Sequence, residues 1–139
     1  MKTVDLYDKN HLIIDNLLRV IHLLLLANGE FFPLATYKDV KGEISSFNNI
    51  DYSDLPQVEK NLKRYQTILE EKIKNQEILS CGIAYDVLTT HYYTKEGTNV
   101  IAIKVLNADP NFCGTIYYFY NLVKGKPFEI TGILEENFI

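Results

Sequence analysis

The chain has 139 residues, of which 47% are hydrophobic and 23% charged, and a formal net charge of -4. That length bounds the protein to a single domain, 1–139, able to bury one core, and the composition is that of a globular rather than a disordered chain. The acidic balance offers no electropositive face for a phosphate backbone, which argues against nucleic acid as a partner.

The segment from Leu12 to Ala27 is strongly apolar and invites a membrane reading. Asp15, Asn16, Arg19 and His22 interrupt the run, and the N-terminal Asp5 and Asp8 are unlike a secretory signal, so the expectation is no membrane and no export. From His11 to Asn28 the polar residues His11, Asp15, Arg19 and His22 recur at spacings of four and three. This spacing predicts a helix with a narrow wet stripe, buried on most of its surface and stopped at Asn28-Gly29.

Phe31–Tyr37 and Glu43–Phe47 are β-prone runs joined by a polar connector ending in Gly42, which predicts a hairpin. Residues 48–56 are turn-rich, with Asp51, Ser53 and Asp54 as N-cap candidates and Pro56 for the first turn of a second helix. In that helix Leu55, Val58, Leu62, Tyr65, Ile68, Leu69 and Ile73 recur at threes and fours, against a charged face that mixes Lys60, Lys63 and Arg64 with Glu59, Glu70 and Glu71. It should lie on the surface with one apolar stripe docked.

Four β-rich runs follow: Ile78–Tyr93, Asn99–Leu106, Phe112–Leu122 and Phe128–Leu134. The turn signals between them, Lys95-Glu96-Gly97, Asp109-Pro110 and Lys124-Gly125-Lys126-Pro127, are too short for anything but antiparallel neighbours. The fold class is therefore α+β: a single antiparallel sheet with two helices on one face, in the order α-β-β-α followed by three or four antiparallel strands. Profilin-like and roadblock-like domains share this element order.

No Gly-rich phosphate loop, G-x-S-x-G elbow, H-E-x-x-H or C-x-x-C motif is present, so no cofactor, metal or catalytic residue is nominated. The two cysteines, Cys81 and Cys113, sit in apolar runs, where cysteine behaves as a small hydrophobe, and they fit a reducing cytoplasm. His11 and His22 are three helical turns apart and cannot share a metal.

Asp86 stands in an otherwise apolar run, where an unpaired carboxylate would be costly. A turn centred near Lys95 and Glu96 would set Asp86 opposite Lys104, so a cross-strand ion pair is the simplest account. A pocket in which Asp86, His91 and Lys104 converge, serving a small ligand or an enzyme reaction, is the sharper alternative.

Tyr117, Tyr118, Phe119 and Tyr120 give one strand aromatic rings on both faces, with Tyr85, Tyr92 and Tyr93 nearby. Core packing absorbs one set, and the other set is a candidate interface centred on Tyr117, Tyr118 and Tyr120. The functional expectation is a non-catalytic protein-interaction module, a homodimer or a binder of another protein. An immunity protein or antitoxin covering a basic toxin is a more specific version, and a ligand pocket around Asp86 is the alternative.

Phe31-Phe32-Pro33, Gly42-Glu43-Ile44 and Gly82-Ile83-Ala84-Tyr85-Asp86-Val87 occur in an order that resembles a loose group of small, uncharacterised bacterial α+β proteins. The resemblance implies a bacterial cytosolic protein, and it attaches no activity, cofactor or functional residue.

Overall fold

A computed structural model describes residues 6–28, 31, 33–47, 58–87, 99–121 and 128–137. The elements run α1 (Leu6–Asn28), β1 (Leu34–Asp39), β2 (Ile44–Ser46), α2 (Val58–Lys74), β3 (Ile78–Asp86), β4 (Asn99–Asn107), β5 (Gly114–Asn121) and β6 (Glu129–Asn137). The strands form one six-stranded sheet in the order β2-β1-β3-β4-β5-β6, antiparallel at every pairing. This is the α+β architecture and element order read from the sequence.

The helices do not share a face. Antiparallel partners point to the same side of a sheet, and successive residues alternate. The register Ala84, Ile103, Ile116 and the register Asp86, Ile101, Tyr118 therefore line one side, and these residues, Asp86 apart, pack with Ile13, Ile14, Leu17 and Ile21 of α1. On the other side Cys81, Ile83 and Leu106 pack with Tyr65 and Leu69 of α2. The expectation of helices on one face is thus corrected to one helix on each. Short strand links constrain which strands are neighbours, but not the side on which a helix returns.

α1 approaches the sheet closely. A Cβ on Gly82 would stand 2.7 Å from Ile13 Cγ2 and 2.8 Å from Leu17 Cδ1, so the helix settles where a strand residue has no side chain. Gly114 does the same for the first turn of α1, lying under Leu6 Cδ1.

The helix begins earlier than periodicity predicts, and it is kinked at Asn10, whose φ of -131° and ψ of 19° leave the helical region. The Asn10 side chain donates to the carbonyls of Leu6 (2.9 Å) and Phe112 (3.3 Å) and accepts from Asn107 Nδ2 (3.0 Å). These bonds stand in for the broken backbone ladder and tie the kink to the turn after β4.

The outer surface of α1 is wetter than expected. Leu12, Leu23 and Leu26 are exposed alongside His11, Asp15 and Arg19, so the buried stripe narrows to Leu6, Ile13, Ile14, Leu17, Ile21 and Leu25. By length and composition α1 could cross a membrane, but here that stripe is docked on the sheet.

α2 matches its predicted stripe, with Tyr65 and Leu69 buried and Leu62 and Ile73 packed beside them. The predicted hairpin is β1 and β2, and Gly42, at φ +88°, takes the left-handed conformation that the turn requires. β3 runs from Ile78 to Asp86, and residues 88–93 of the predicted run lie outside the described residues. The stop signal at Gly29 and the N-cap candidates Asp51, Ser53 and Asp54 lie outside the described residues.

Candidate functional site

Asp86 and Lys104 do not meet. Lys104 pairs with Ile83, whereas Asp86 pairs with Ile101. The true register differs by three residues from the one assumed, and an odd shift sends the two side chains to opposite faces. Lys104 Nζ reaches Gln66 Oε1 of α2 at 2.6 Å, and Gln66 in turn donates to Glu70 at 2.8 Å. Asp86 lies on the α1 side near Tyr120, where burial first and then the Asp86 charge hold the phenol well above its ordinary pKa. His91 lies outside the described residues.

On opposite faces of the sheet, Asp86 and Lys104 share no pocket among the described residues. A cleft of about 180 Å³ is lined mainly by apolar groups such as Leu17, Val20, Pro33 and Phe47, and holds neither of them. Among the described residues no cluster of three or more His, Cys, Asp or Glu could hold a metal. Cys81 is buried, and burial pushes its thiol up to about 12, so it is a poor nucleophile at neutral pH.

The proposed tyrosine interface also divides. Tyr118 and Tyr120 are each 3% exposed and belong to the α1 core, with Tyr120 edge-on to Phe128 at 5.5 Å. They are removed from the interface because alternation along β5 turns them inward beneath α1. Tyr117 points the other way and is half-buried.

Around Tyr117 the second face is arranged in rows. Tyr85, Ala102, Tyr117 and Leu134 lie side by side across β3 to β6, and Val100, Phe119 and Gly132 form the next row. Tyr85, Tyr117 and Phe119 close over Val87, Val100 and Ala102 as a cluster of their own, distinct from the one under α2. Glu136 sits near enough that its charge, after burial, raises the pKa of both Tyr85 and Tyr117. This end of the face is aromatic and acidic together.

The row ends at an open edge. Among the described residues no strand pairs with the outer side of β6, and Ile133 and Leu134 are 61% and 55% exposed. β1's outer neighbour β2, by contrast, is only three residues long. A bulge breaks β6 at Thr131, whose hydroxyl donates to the Phe119 carbonyl at 3.3 Å, and leaves 132–137 as the regular stretch. Within it Glu135 accepts the amide of Leu6, the first residue of α1, at 3.0 Å and so caps that helix.

Sequence reasoning missed β6 as a site. Its signal is Ile133-Leu134 followed by Glu135-Glu136, adjacent apolar residues where a half-buried strand would alternate. The fold and this edge define the class: a two-helix α+β protein whose single sheet keeps one long edge strand open. Comparison with known protein families, with curated proteins and with solved structures finds no match, so the likeness to profilin-like and roadblock-like domains rests on element order alone.

Proposed function

We propose that the protein is a non-catalytic interaction module that binds another protein through the β6 side of its sheet. The observation that carries this reading is the exposed pair Ile133 and Leu134 on a long edge that, among the described residues, no strand pairs. Soluble proteins usually blunt such edges, because unpaired backbone groups beside apolar side chains recruit another strand. The neighbouring Tyr85, Tyr117 and Phe119 supply the amphipathic aromatic surface that interfaces favour.

A narrower reading, an immunity protein or antitoxin that covers a basic toxin enzyme in the cytoplasm, is favoured by the net charge of -4 and by the carboxylates Glu129, Glu135 and Glu136 on β6. Charge complementarity would speed encounter and select the partner. The free thiols Cys81 and Cys113 suit a reducing compartment.

The test is an affinity pull-down of the tagged chain from its native cytosol, with proteins and small molecules both identified by mass spectrometry. A stoichiometric protein partner, confirmed by calorimetric titration of the purified pair, is the expected result. A retained metabolite with no protein partner would overturn the interaction reading.

A further inference from the structure

The regular part of the open edge has a specific order. Along 132–137 the residues are Gly132, Ile133, Leu134, Glu135, Glu136 and Asn137, with Ile133 and Glu135 on the α1 side and Leu134 and Glu136 on the other. β5 carries no charged residue, and β6 carries three carboxylates and no cation.

We propose that this edge takes an extended segment of a partner protein as a seventh, antiparallel strand, and that the segment reads basic, basic, apolar, apolar opposite Glu136, Glu135, Leu134 and Ile133. The inference deepens the interaction reading above and rests on it. Main-chain hydrogen bonds to the edge supply affinity, and the side chains opposite each position supply selection. Directly opposed groups in an antiparallel pair lie about 4.5 to 5.5 Å apart, close enough for opposite charges to attract and like charges to repel.

Charge favours a basic partner segment over a second copy of this chain, which brings three carboxylates and no cation to the edge. When two copies of 132–137 pair antiparallel over their full length, Ile133 faces Glu136 and Leu134 faces Glu135. Each apolar side chain then meets a carboxylate, and the carboxylates gather with no cation among them. Sliding the pairing towards Asn137 sets Glu135 opposite Glu135 or Glu136, and sliding it the other way brings Ile133 against Leu134 but leaves Glu135 of each copy facing Gly132, with no cation on either strand to pair it. The same residues that would repel a copy would attract lysine or arginine, so β6 discriminates by repulsion as well as attraction. The bulge at Thr131 limits the regular edge to the six residues that carry this pattern.

The experiment titrates the full chain by NMR, to millimolar concentration, with the blocked peptide Ser-Lys-Lys-Val-Val-Thr-Ser and with its counterpart Ser-Glu-Glu-Val-Val-Thr-Ser. The lysine peptide should bind at least about tenfold tighter, a difference of about 1.4 kcal/mol. Its affinity should fall as salt rises, and amide exchange at 132–137 should slow on binding. The variant Glu136→Lys, checked for an unchanged urea midpoint, should abolish the preference, because each peptide then faces one lysine and one glutamate. Glu135 is left intact in these variants because it caps α1.

Equal or undetectable binding of the two peptides, or protection that appears away from β6, would overturn the proposal. So would a concentration-dependent dimer, seen by light scattering, with protected β6 amides. If a protein recovered by pull-down binds Glu136→Lys as tightly as the parent chain, the interaction reading stands and the strand-addition proposal falls. If a metabolite and no protein is recovered while the lysine peptide still binds β6, the interaction reading falls and takes the partner-strand proposal with it, leaving only the peptide preference of the edge.

Discussion

On the α1 side of the sheet the row Ala84, Ile103 and Ile116 is sealed from solvent, and only its last member, Glu135, is partly wet. On the opposite side the neighbouring row runs from half-buried Tyr85 through buried Ala102 to half-buried Tyr117 and then to exposed Leu134. Both rows cross the same strands, so strand composition alone does not separate them. The difference is the covering helix: α1 packs with β3, β4 and β5 on its side, whereas the α2 cluster draws on β1, Cys81, Ile83 and Leu106 and leaves the aromatic rows to themselves. One face of a sheet can thus serve stability while part of the other stays available for contact.

The largest effect that would sharpen this contrast is expected from Ile103→Ala. Ile103 is fully buried beneath α1, and truncation there should cost about 3 to 4 kcal/mol through lost burial and the cavity left behind. Urea unfolding checks it, and a loss below about 1 kcal/mol would mean that α1 is not packed as described.

A second comparison asks whether the half of the face under α2 is as dry as the α1 side. The buried Cys81 thiol is raised to about 12 from an ordinary 9.0. Its folded form holds the proton longer than its unfolded form, so its contribution is intact below pH 9 and is lost as pH climbs towards 12. Relative to Cys81→Ala, the parent chain should lose up to about 1.4 kcal/mol per pH unit across that window. A difference between the two that stays flat from pH 8 to pH 11 would show that Cys81 ionises as freely in the folded protein as in the unfolded one.

The smallest stability effect is expected on the uncovered rows. Tyr117→Ala should change the free energy of unfolding by about 1 kcal/mol or less, since half-buried surface positions contribute little. The same substitution should weaken capture of the partner protein. A large stability loss with unchanged partner binding would break the contrast and return Tyr117 to the core.

Much of this was legible before any coordinates. Charged and apolar residues alternating at threes and fours placed α2 and its docked stripe, and Gly42 and Asp109-Pro110 marked the links between β1 and β2 and between β4 and β5. The candidate site was harder to read. Strands joined by short links were correctly read as antiparallel neighbours, but the strand order that sets β1 beside β3 was not read, nor was the register, and the slip between Asp86 and Lys104 followed from centring the link between β3 and β4 at the wrong residue. The tyrosines of β5 were recognised as serving two faces, yet nothing local said that Tyr118 and Tyr120, rather than Tyr117, lie beneath a helix.

By itself, the sequence determined the class, the order of elements along the chain and the antiparallel pairing of strands joined by short links, and it carries no recognisable catalytic motif. These follow from periodicity, turn chemistry and link length, which act over a few residues. Only the tertiary structure decided that the helices take opposite faces, that α1 kinks at Asn10 to bond with Asn107 and Phe112, and that β6 ends the sheet with Ile133 and Leu134 exposed. Those outcomes depend on which side of the sheet a distant helix covers and on which strand is left last. Both are set by long-range packing that no local pattern encodes.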